Sequence, residues 1–324
     1  MASFSGIKDT NKSILVIGDI MLDHYIYGTC ERISPEAPVQ IVDFVSEKWI
    51  LGGAANVANN LIALGKQVSL CGVVGKNDKK DLFDHLIYEK GIQNHLIYSD
   101  SRKSTIKSRV ISNGHQLLRI DNEIKTSISD EDADLIYNKI KKSIRSYNLI
   151  LFSDYNKGVL TQQLTKKIIN LANEFGITTI VDPKNPPFSK FEGITFIKPN
   201  RKEAALETGI DIGDLVLLKN ACEKIQNETS CKAVIVTLSE EGVGVFQNGE
   251  LNVIPTRAKE VFDVTGAGDT FLAGMAYKLV DNCELKEACE FANYASAVVV
   301  GKQGCATTNI KEINLFIENE RNGQ

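Results

Sequence analysis

Residues 149–181 read LILFSDYNKGVLTQQLTKKIINLANEFGITTIV, and the pattern changes twice within them. Leu149–Ser153 is an apolar run of the length of a buried strand. Thr161–Phe175 repeats apolar residues at helical spacing, and Thr178–Val181 returns to a short β-branched run. Strand, helix and strand in that order predict a parallel pair joined by a helical crossover. The rhythm recurs on both sides. Upstream, Ser13–Ile17 ends at Gly18-Asp19 as a first strand, Gly52-Gly53 opens a helix at Ala54–Leu64, Val68–Val74 is a strand and Asp78–Lys90 a helix. Downstream, Ile194–Ile197 and Ala233–Thr237 read as strands, and Asn200–Glu207 and Leu215–Asn227 as helices. Val243–Gln247 and Leu251–Pro255 form a hairpin at Asn248-Gly249, and from Asp269 onward the chain is mostly helical. The prediction is an α/β fold with a doubly wound, mostly parallel sheet.

Two segments break that rhythm. Residues 20–50 carry aromatics, two prolines and the alternating stretch Val39–Val45, and residues 104–120 fold back at Asn113-Gly114, a two-residue hairpin signal. Both are expected to build one small β-sheet, a lid over a single domain spanning residues 1–324.

Composition narrows the function classes. The chain is 43% apolar and 24% charged, with a net charge of −4 and a pI near 5.7. An acidic balance argues against a nucleic-acid partner. Seven cysteines, at 30, 71, 222, 231, 283, 289 and 305, form no CxxC pair, so reduced thiols are expected rather than zinc ligands or a disulfide framework. Met1–Lys12 is polar, without the apolar centre of a signal peptide, and no apolar run has the length of a membrane span. A cytoplasmic protein is expected.

Asp263-Val264-Thr265-Gly266-Ala267-Gly268-Asp269-Thr270 runs directly into the apolar stretch Phe271–Val280. Glycines let the backbone approach a ligand, and a helix starting there aims unpaired N–H groups at an anion. Asp269 adds a carboxylate beside that anion site, where it is a candidate base for a hydroxyl. Its place at a helix N-terminus predicts a lowered pKa and an ionised carboxylate. A dinucleotide fingerprint fits poorly, because GAGDTF lacks the third glycine of GxGxxG, and no GxxxxGK[ST] occurs anywhere. A purely structural helix cap is the remaining alternative.

Ligands of doubly wound sheets collect beyond the carboxyl ends of the strands. Five polar motifs follow predicted strands: Asp19 with Asp23, Ser153-Asp154-Tyr155, Asp182-Pro183-Lys184, Asn200 with Glu203, and Thr237 with Ser239. Asn-x-x-Glu suits ordinary helix capping, and Glu203 equally suits magnesium held through water. Gly52-Gly53-Ala54-Ala55-Asn56 serves as a tight turn, or as glycine backbone admitting a sugar with Asn56 on its hydroxyls. Lys107, Arg109, Arg119, Lys157 and Lys184 are solvated charges or candidates for an anionic part of the substrate. The four histidines show no ligand or triad spacing.

The Gly-Gly-Ala-Ala-Asn region and the Asp263–Asp269 motif, in that order, resemble the two signatures of the ribokinase-like, or PfkB, carbohydrate kinases across nearly the whole chain. Gly18–Asp23, Arg32–Pro38, Leu117–Asp121, Ser153–Gly158 and Asp182–Lys184 are most similar to the branch acting on D-glycero-β-D-manno-heptose 7-phosphate. Asn156 and Asn185-Pro186-Pro187-Phe188 depart from its pattern. Many of these kinases carry a fused nucleotidyltransferase with an HxGH motif; none occurs in this sequence, so the resemblance is to the kinase alone.

The resemblance implies a ribokinase-like fold and transfer of phosphate from ATP, with Mg²⁺ and room for a monovalent cation, to C1 of that sugar phosphate. It implies Asp269 as the base and Gly266, Ala267 and Gly268 as an anion hole. Asn200, Arg201, Lys202, Glu203, Thr237, Ser239, Gly242, Asp263, Thr265 and Asn293 would surround ATP, with Glu203 toward Mg²⁺. Asp19, Asp23, Gly52, Gly53, Asn56, Asp154 and Asp182 would meet the sugar, and Lys107, Arg109, Lys157 and Lys184 its phosphate. A homodimer through the lid sheets is implied by analogy. Another kinase of the fold, acting on ribose, fructose or a fructose phosphate, is the alternative. A non-catalytic sugar-binding regulator fits less well, since Asp269 and both glycines are present.

Overall fold

A computed structural model describes residues 12–258, 261–302 and 304–322; the polar opening segment at residues 1–11 lies outside them. Strand β1 (Ser13–Gly18) passes through the single residue Asp19 into β2 (Ile20–Ile33), which turns back as β3 (Gln40–Gly53) and enters α1 (Ala54–Ala63). There follow β4 (Gln67–Cys71), β5 (Val73–Gly75), α2 (Lys80–Glu89), β6 (Gln93–Asn94), β7 (Ile97–Ser99) and the hairpin β8 (Thr105–Ser112)–β9 (His115–Asn122). Next come α3 (Asp130–Ser143), β10 (Leu149–Ser153), α4 (Gln162–Glu174), β11 (Thr178–Asp182), β12 (Phe196–Ile197), α5 (Arg201–Thr208), α6 (Leu215–Thr229) and β13 (Ala233–Thr237). Strands β14 (Val243–Gln247) and β15 (Glu250–Ile254) precede α7 (Ala267–Leu279), α8 (Leu285–Val300) and α9 (Ile310–Asn322).

The main sheet has the order β15-β14-β13-β12-β11-β10-β1-β4-β6. It is parallel from β13 to β6, and only the pairs β13–β14 and β14–β15 are antiparallel. Chain order runs outward from β1 in both directions, so the topological switch lies between β1 and β10. Alternation along β1 shows why both faces are covered. Ile14 and Val16 join a core with α1, α2, α7 and α8, while Leu15 and Ile17 join the opposite core with α3, α4 and α6. Each large side chain fully buried this way, such as Phe152, stabilises the fold by about 1.5–3 kcal/mol.

The lid is a four-stranded sheet, β3-β2-β8-β9, built from the two segments that broke the sequence rhythm. The strand read at Val68–Val74 is divided at Gly72, where a side chain would run into the Gly18 carbonyl and Ile20; β5 leaves the main sheet and pairs with β7. Ile194–Ile197 shortens to the two-residue β12. Helix α3 was not legible, because its sequence is strongly charged and few of its residues face the core. Ser129 caps it by accepting from the Asp132 N–H at 3.1 Å.

A Cβ at Gly18 would overlap the Ser153 carbonyl oxygen at the switch between β1 and β10. Gly18→Ala should therefore force these strands apart and destabilise the protein by about 1–3 kcal/mol, read as a lower urea midpoint. An unchanged midpoint would contradict this packing.

Candidate active site

Asp19 ends β1 at the switch point and is 1% exposed. Its Oδ2 accepts from the backbone N–H of Tyr155 (2.9 Å) and Lys157 (3.0 Å), and its Oδ1 from Val159 (3.1 Å). Its backbone carbonyl accepts from Ala54 N–H at 2.9 Å, and its N–H donates to Ser153 at 3.2 Å. The residue predicted to meet sugar hydroxyls is thus an internal fastener: it fixes the loop after β10 and the start of α1 on one carboxylate.

That loop delivers Tyr155, whose hydroxyl donates to Asp269 Oδ1 at 2.6 Å. Helix α1 delivers Asn56, whose Nδ2 donates to Asp269 Oδ2 at 2.7 Å. Asp269 lies in the first turn of α7, begun by Gly266 in the left-handed conformation (φ 81°). Burial pushes the Asp269 carboxyl above its ordinary value, and the Tyr155 and Asn56 hydrogen bonds offset that only in part. The expectation of a lowered pKa is corrected: the cost of burying the charge outweighs the hydrogen bonds and the nearby Lys198 ammonium. Asn56 Oδ1 is buried without a hydrogen-bond partner among the described residues.

The anion-hole glycines divide unequally. Ala267 N–H already donates to the Val264 carbonyl at 3.1 Å, which removes it from the predicted trio. Gly268 faces open space where a side chain would project, and it lines a cleft of about 200 Å³ with Gly266, Asp269 and Tyr155. The same cleft is lined by Asp154, Asp182, Pro183, Lys184, Lys198, Asn200, Glu203 and Thr237, all at or beyond the carboxyl ends of β10 to β13.

Charge in the cleft is paired. Lys198 Nζ lies 2.8 Å from Asp182, whose carboxyl burial still pushes up to about 7. Glu203 Oε1 accepts from Lys184 at 3.0 Å, and its Oε2 closes a capping box on the Asn200 N–H at 2.8 Å. Asp154 pairs with Lys190 at 2.6 Å. The carboxylates Asp182 and Glu203, each ion-paired to a lysine, line the cleft as hard oxygen donors of the kind Mg²⁺ takes.

A match to the family described as pfkB family carbohydrate kinase covers residues 11–312. The chain belongs to the pfkB family of carbohydrate kinases. It is 45% identical over 311 residues to Bifunctional protein HldE of Sulfurimonas denitrificans, covering 96% of this chain and 65% of that protein. Against Bifunctional protein HldE of Nitratiruptor sp. the identity is 47% over 303 residues, covering 94% and 64%. The chain thus spans just under two thirds of the length of these relatives. Phosphofructokinase-2 from Escherichia coli superposes with a TM-score of 0.78 at 18% identity, covering 96% of this chain and 99% of that one. Ribokinase of Arabidopsis thaliana, complexed with ribose and ATP, superposes at 0.72 with 19% identity over 95% and 99%. These two likenesses establish the ribokinase-like fold of this pfkB-family chain.

The other predicted positions fall in two groups. Asp23 pairs with Arg109 on the lid, and a side chain at Gly52 would overlap Asp23 Oδ2, so that glycine makes room for the pair. Gly53 has φ 60° at the start of α1 and would otherwise strike the Asp19 carbonyl. Lys157 pairs with Glu123 at 2.6 Å, beside the half-buried Lys107. Away from Asp269, Asp263 accepts from the N–H of Thr265 and of Gly304, both at 2.9 Å, and so shapes the loop that leads to Gly266. Asn293 donates to the Pro255 carbonyl at 2.7 Å, and Arg201 pairs with Glu241 at 2.6 Å. Lys202 and Ser239 are exposed, and Gly242 (φ 102°) packs against the Ile254 carbonyl. Sequence reasoning missed Tyr155, Lys190 and Lys198 as site residues; Tyr155 stood inside a quoted motif, and Lys198 directly precedes Pro199-Asn200.

The Tyr155 hydroxyl stabilises the ionised form of Asp269. Tyr155→Phe should raise the Asp269 pKa further and move the acid limb of the phosphoryl-transfer pH profile upward by about one to two units. A limb that stays in place, or moves down, would refute the assigned contact.

Proposed function

We propose that this chain transfers the γ-phosphoryl group of ATP to C1 of D-glycero-β-D-manno-heptose 7-phosphate. The products are the 1,7-bisphosphate and ADP, on the route to the ADP-heptose of lipopolysaccharide. The carrying observation is Asp269, a buried carboxylate held by Asn56 and Tyr155 beside the open backbone of Gly268. The heptose assignment is supported by the sequence resemblance and by relatives named HldE at 45% and 47% identity.

The chemistry follows from that arrangement. The C1 hydroxyl gives its proton to Asp269 as its oxygen forms the bond to the γ-phosphorus, and the bond from that phosphorus to the ADP oxygen breaks in line. Because burial raises its pKa, Asp269 is a stronger base than an exposed aspartate, yet hydrogen bonds to both oxygens favour its ionised state. The unpaired N–H groups at the start of α7 stabilise charge developing on the transferred group. The sugar lies between this point and the lid, with Asn56 Oδ1 accepting from one of its hydroxyls. Glu203, through water, and Asp182 would hold Mg²⁺, which when bound shields the phosphate charges. Asn200, Thr237, Ser239, Gly242 and Asn293 lie on the nucleotide side of this scheme.

A cytoplasmic site of action is part of the proposal; among the described residues no helix is long and apolar enough to cross a membrane. The lid exposes Phe44, Val45, Leu118 and Ile120, each more than half exposed. A second copy covering these side chains would form the proposed homodimer. A monovalent cation near the anion-binding loop completes the proposal.

A coupled ADP-release assay should give the highest kcat/KM with heptose 7-phosphate, above ribose, fructose and fructose 6-phosphate. Best activity on an unphosphorylated sugar would sink the heptose assignment. Asp269→Asn should lower turnover by about 10²–10⁴-fold with ATP binding retained; near-normal turnover would remove Asp269 from the mechanism.

A further inference from the structure

We infer that Arg102 is a positioning residue for the phosphoryl transfer: its guanidinium clips the loop after β10 to the segment that leaves the lid, and so holds Tyr155 against Asp269. The inference rests on the reading of Asp269 as the base and adds the device that keeps its tyrosine in place.

The loop follows a tight path. Asn156 (φ 54°) and Gly158 (φ 89°) both stand in the left-handed region, on either side of Lys157. Asparagine is among the residues that tolerate this region, and Asp154 accepts from its N–H at 2.8 Å, but such a path still has to be held from outside. Asp19 takes the loop's N–H groups. Its carbonyls are taken up at the lid connections: that of Lys157 accepts from Arg102, and that of Gly158 from the Ile128 N–H at 3.0 Å. A side chain at Gly158 would overlap the Thr126 carbonyl, so the loop and the segment leaving the lid are packed backbone to backbone.

Arg102 lies between β7 and β8, on the way into the lid. Its Nη1 donates to the Thr126 carbonyl at 3.0 Å and its Nη2 to the Ile124 carbonyl at 3.2 Å, both on the way out between β9 and α3. Nη2 also donates to the Lys157 carbonyl. One planar cation thus gathers three carbonyls from two segments. A guanidinium, with its donors in a fixed fork, suits that task better than an ammonium on a flexible stem. Burial lowers the Arg102 pKa, and the carboxylates of Asp19 and Asp132 oppose that shift. Lys157 is therefore gripped at both backbone groups, its N–H by the Asp19 carboxylate and its carbonyl by the Arg102 guanidinium. Two residues earlier, Tyr155 donates to Asp269 at 2.6 Å. Releasing the carbonyl end would let that hydroxyl drift from the base.

The test is steady-state kinetics on the full chain with the sugar that the unsubstituted protein uses best, so that a wrong heptose assignment leaves it intact. Arg102→Met should lower kcat about 10–100-fold, the scale of a displaced catalytic contact, with KM for MgATP unchanged. The acid limb of its pH profile should move upward, in the direction expected for Tyr155→Phe. In the double variant the loss of kcat should not exceed the larger single loss, because one contact cannot be lost twice. Guanidinium ion, added at concentrations too low to unfold the protein, should restore part of the kcat of Arg102→Met. Arg102→Lys should retain part of it, and carries the same comparison if Arg102→Met fails to fold. Lys103→Met, which removes the exposed cation beside Arg102, should leave kcat unchanged. A folded Arg102→Met variant with normal kcat overturns the inference, as do additive losses in the double variant or an acid limb that stays in place. Near-normal turnover of Asp269→Asn would instead remove the parent reading, and this inference with it.

Discussion

One buried carboxylate organises this molecule. Asp19 sits where the sheet reverses its order, and three backbone N–H groups from the loop after β10 converge on it. Burying a carboxylate is costly, and its hydrogen bonds offset that cost only while the loop keeps this shape. Conversely, among the described residues those amides have no acceptor besides Asp19. The mutual dependence fixes Tyr155 and, through the Asp19 carbonyl and Ala54, the start of α1 that carries Asn56. Both donors that hold Asp269 thus descend from one residue at the switch point. The orientation of the base is a property of the sheet topology as much as of its own helix.

The electrostatics of the cleft follow the same logic. Asp154, Asp182, Glu203 and Asp269 crowd one small volume, and left unpaired they would repel one another. Lys190, Lys198 and Lys184 each neutralise one of them, while Asp269 receives only neutral donors. Burial raises the Asp269 pKa, and its two neutral hydrogen bonds and the more distant Lys198 charge offset that only in part, so it keeps its readiness to take a proton. A lysine in place of Asn56 or Tyr155 would have held the carboxylate ionised but made it a poorer base. The identities of these two donors therefore set basicity as well as geometry.

Periodicity made the sheet, most of its helices and the lid legible, since apolar spacing reports directly which face is buried. The glycine turn before Asp269 was legible for a similar reason: a backbone at φ 81° restricts which residues can stand at Gly266. What stayed hidden were relations between distant residues. Tyr155 and Asn56 lie 114 and 213 positions from Asp269, and no local pattern records that they meet there. The raised pKa was hidden too, because helix position is readable in sequence and depth of burial is not. Ala267 was lost from the anion hole by a contact of only three residues, with Val264, that turn geometry decides.

The lid is tied to the catalytic end by covalent continuity rather than by a linker. β2 leaves the main sheet after the single residue Asp19, and β3 returns through Gly53 directly into α1. A sheet joined so tightly cannot swing freely without straining the two residues that also position Asn56 and Tyr155. Gly53 (φ 60°) has the backbone freedom to absorb such a rotation, whereas Asp19 is held by five hydrogen bonds of its backbone and side chain. Movement of the lid about this corner would therefore pivot on Asp19 and be taken up at Gly53. The distance between Asp23 on the lid and Asp269 beneath it is then set by the same corner that aims the base.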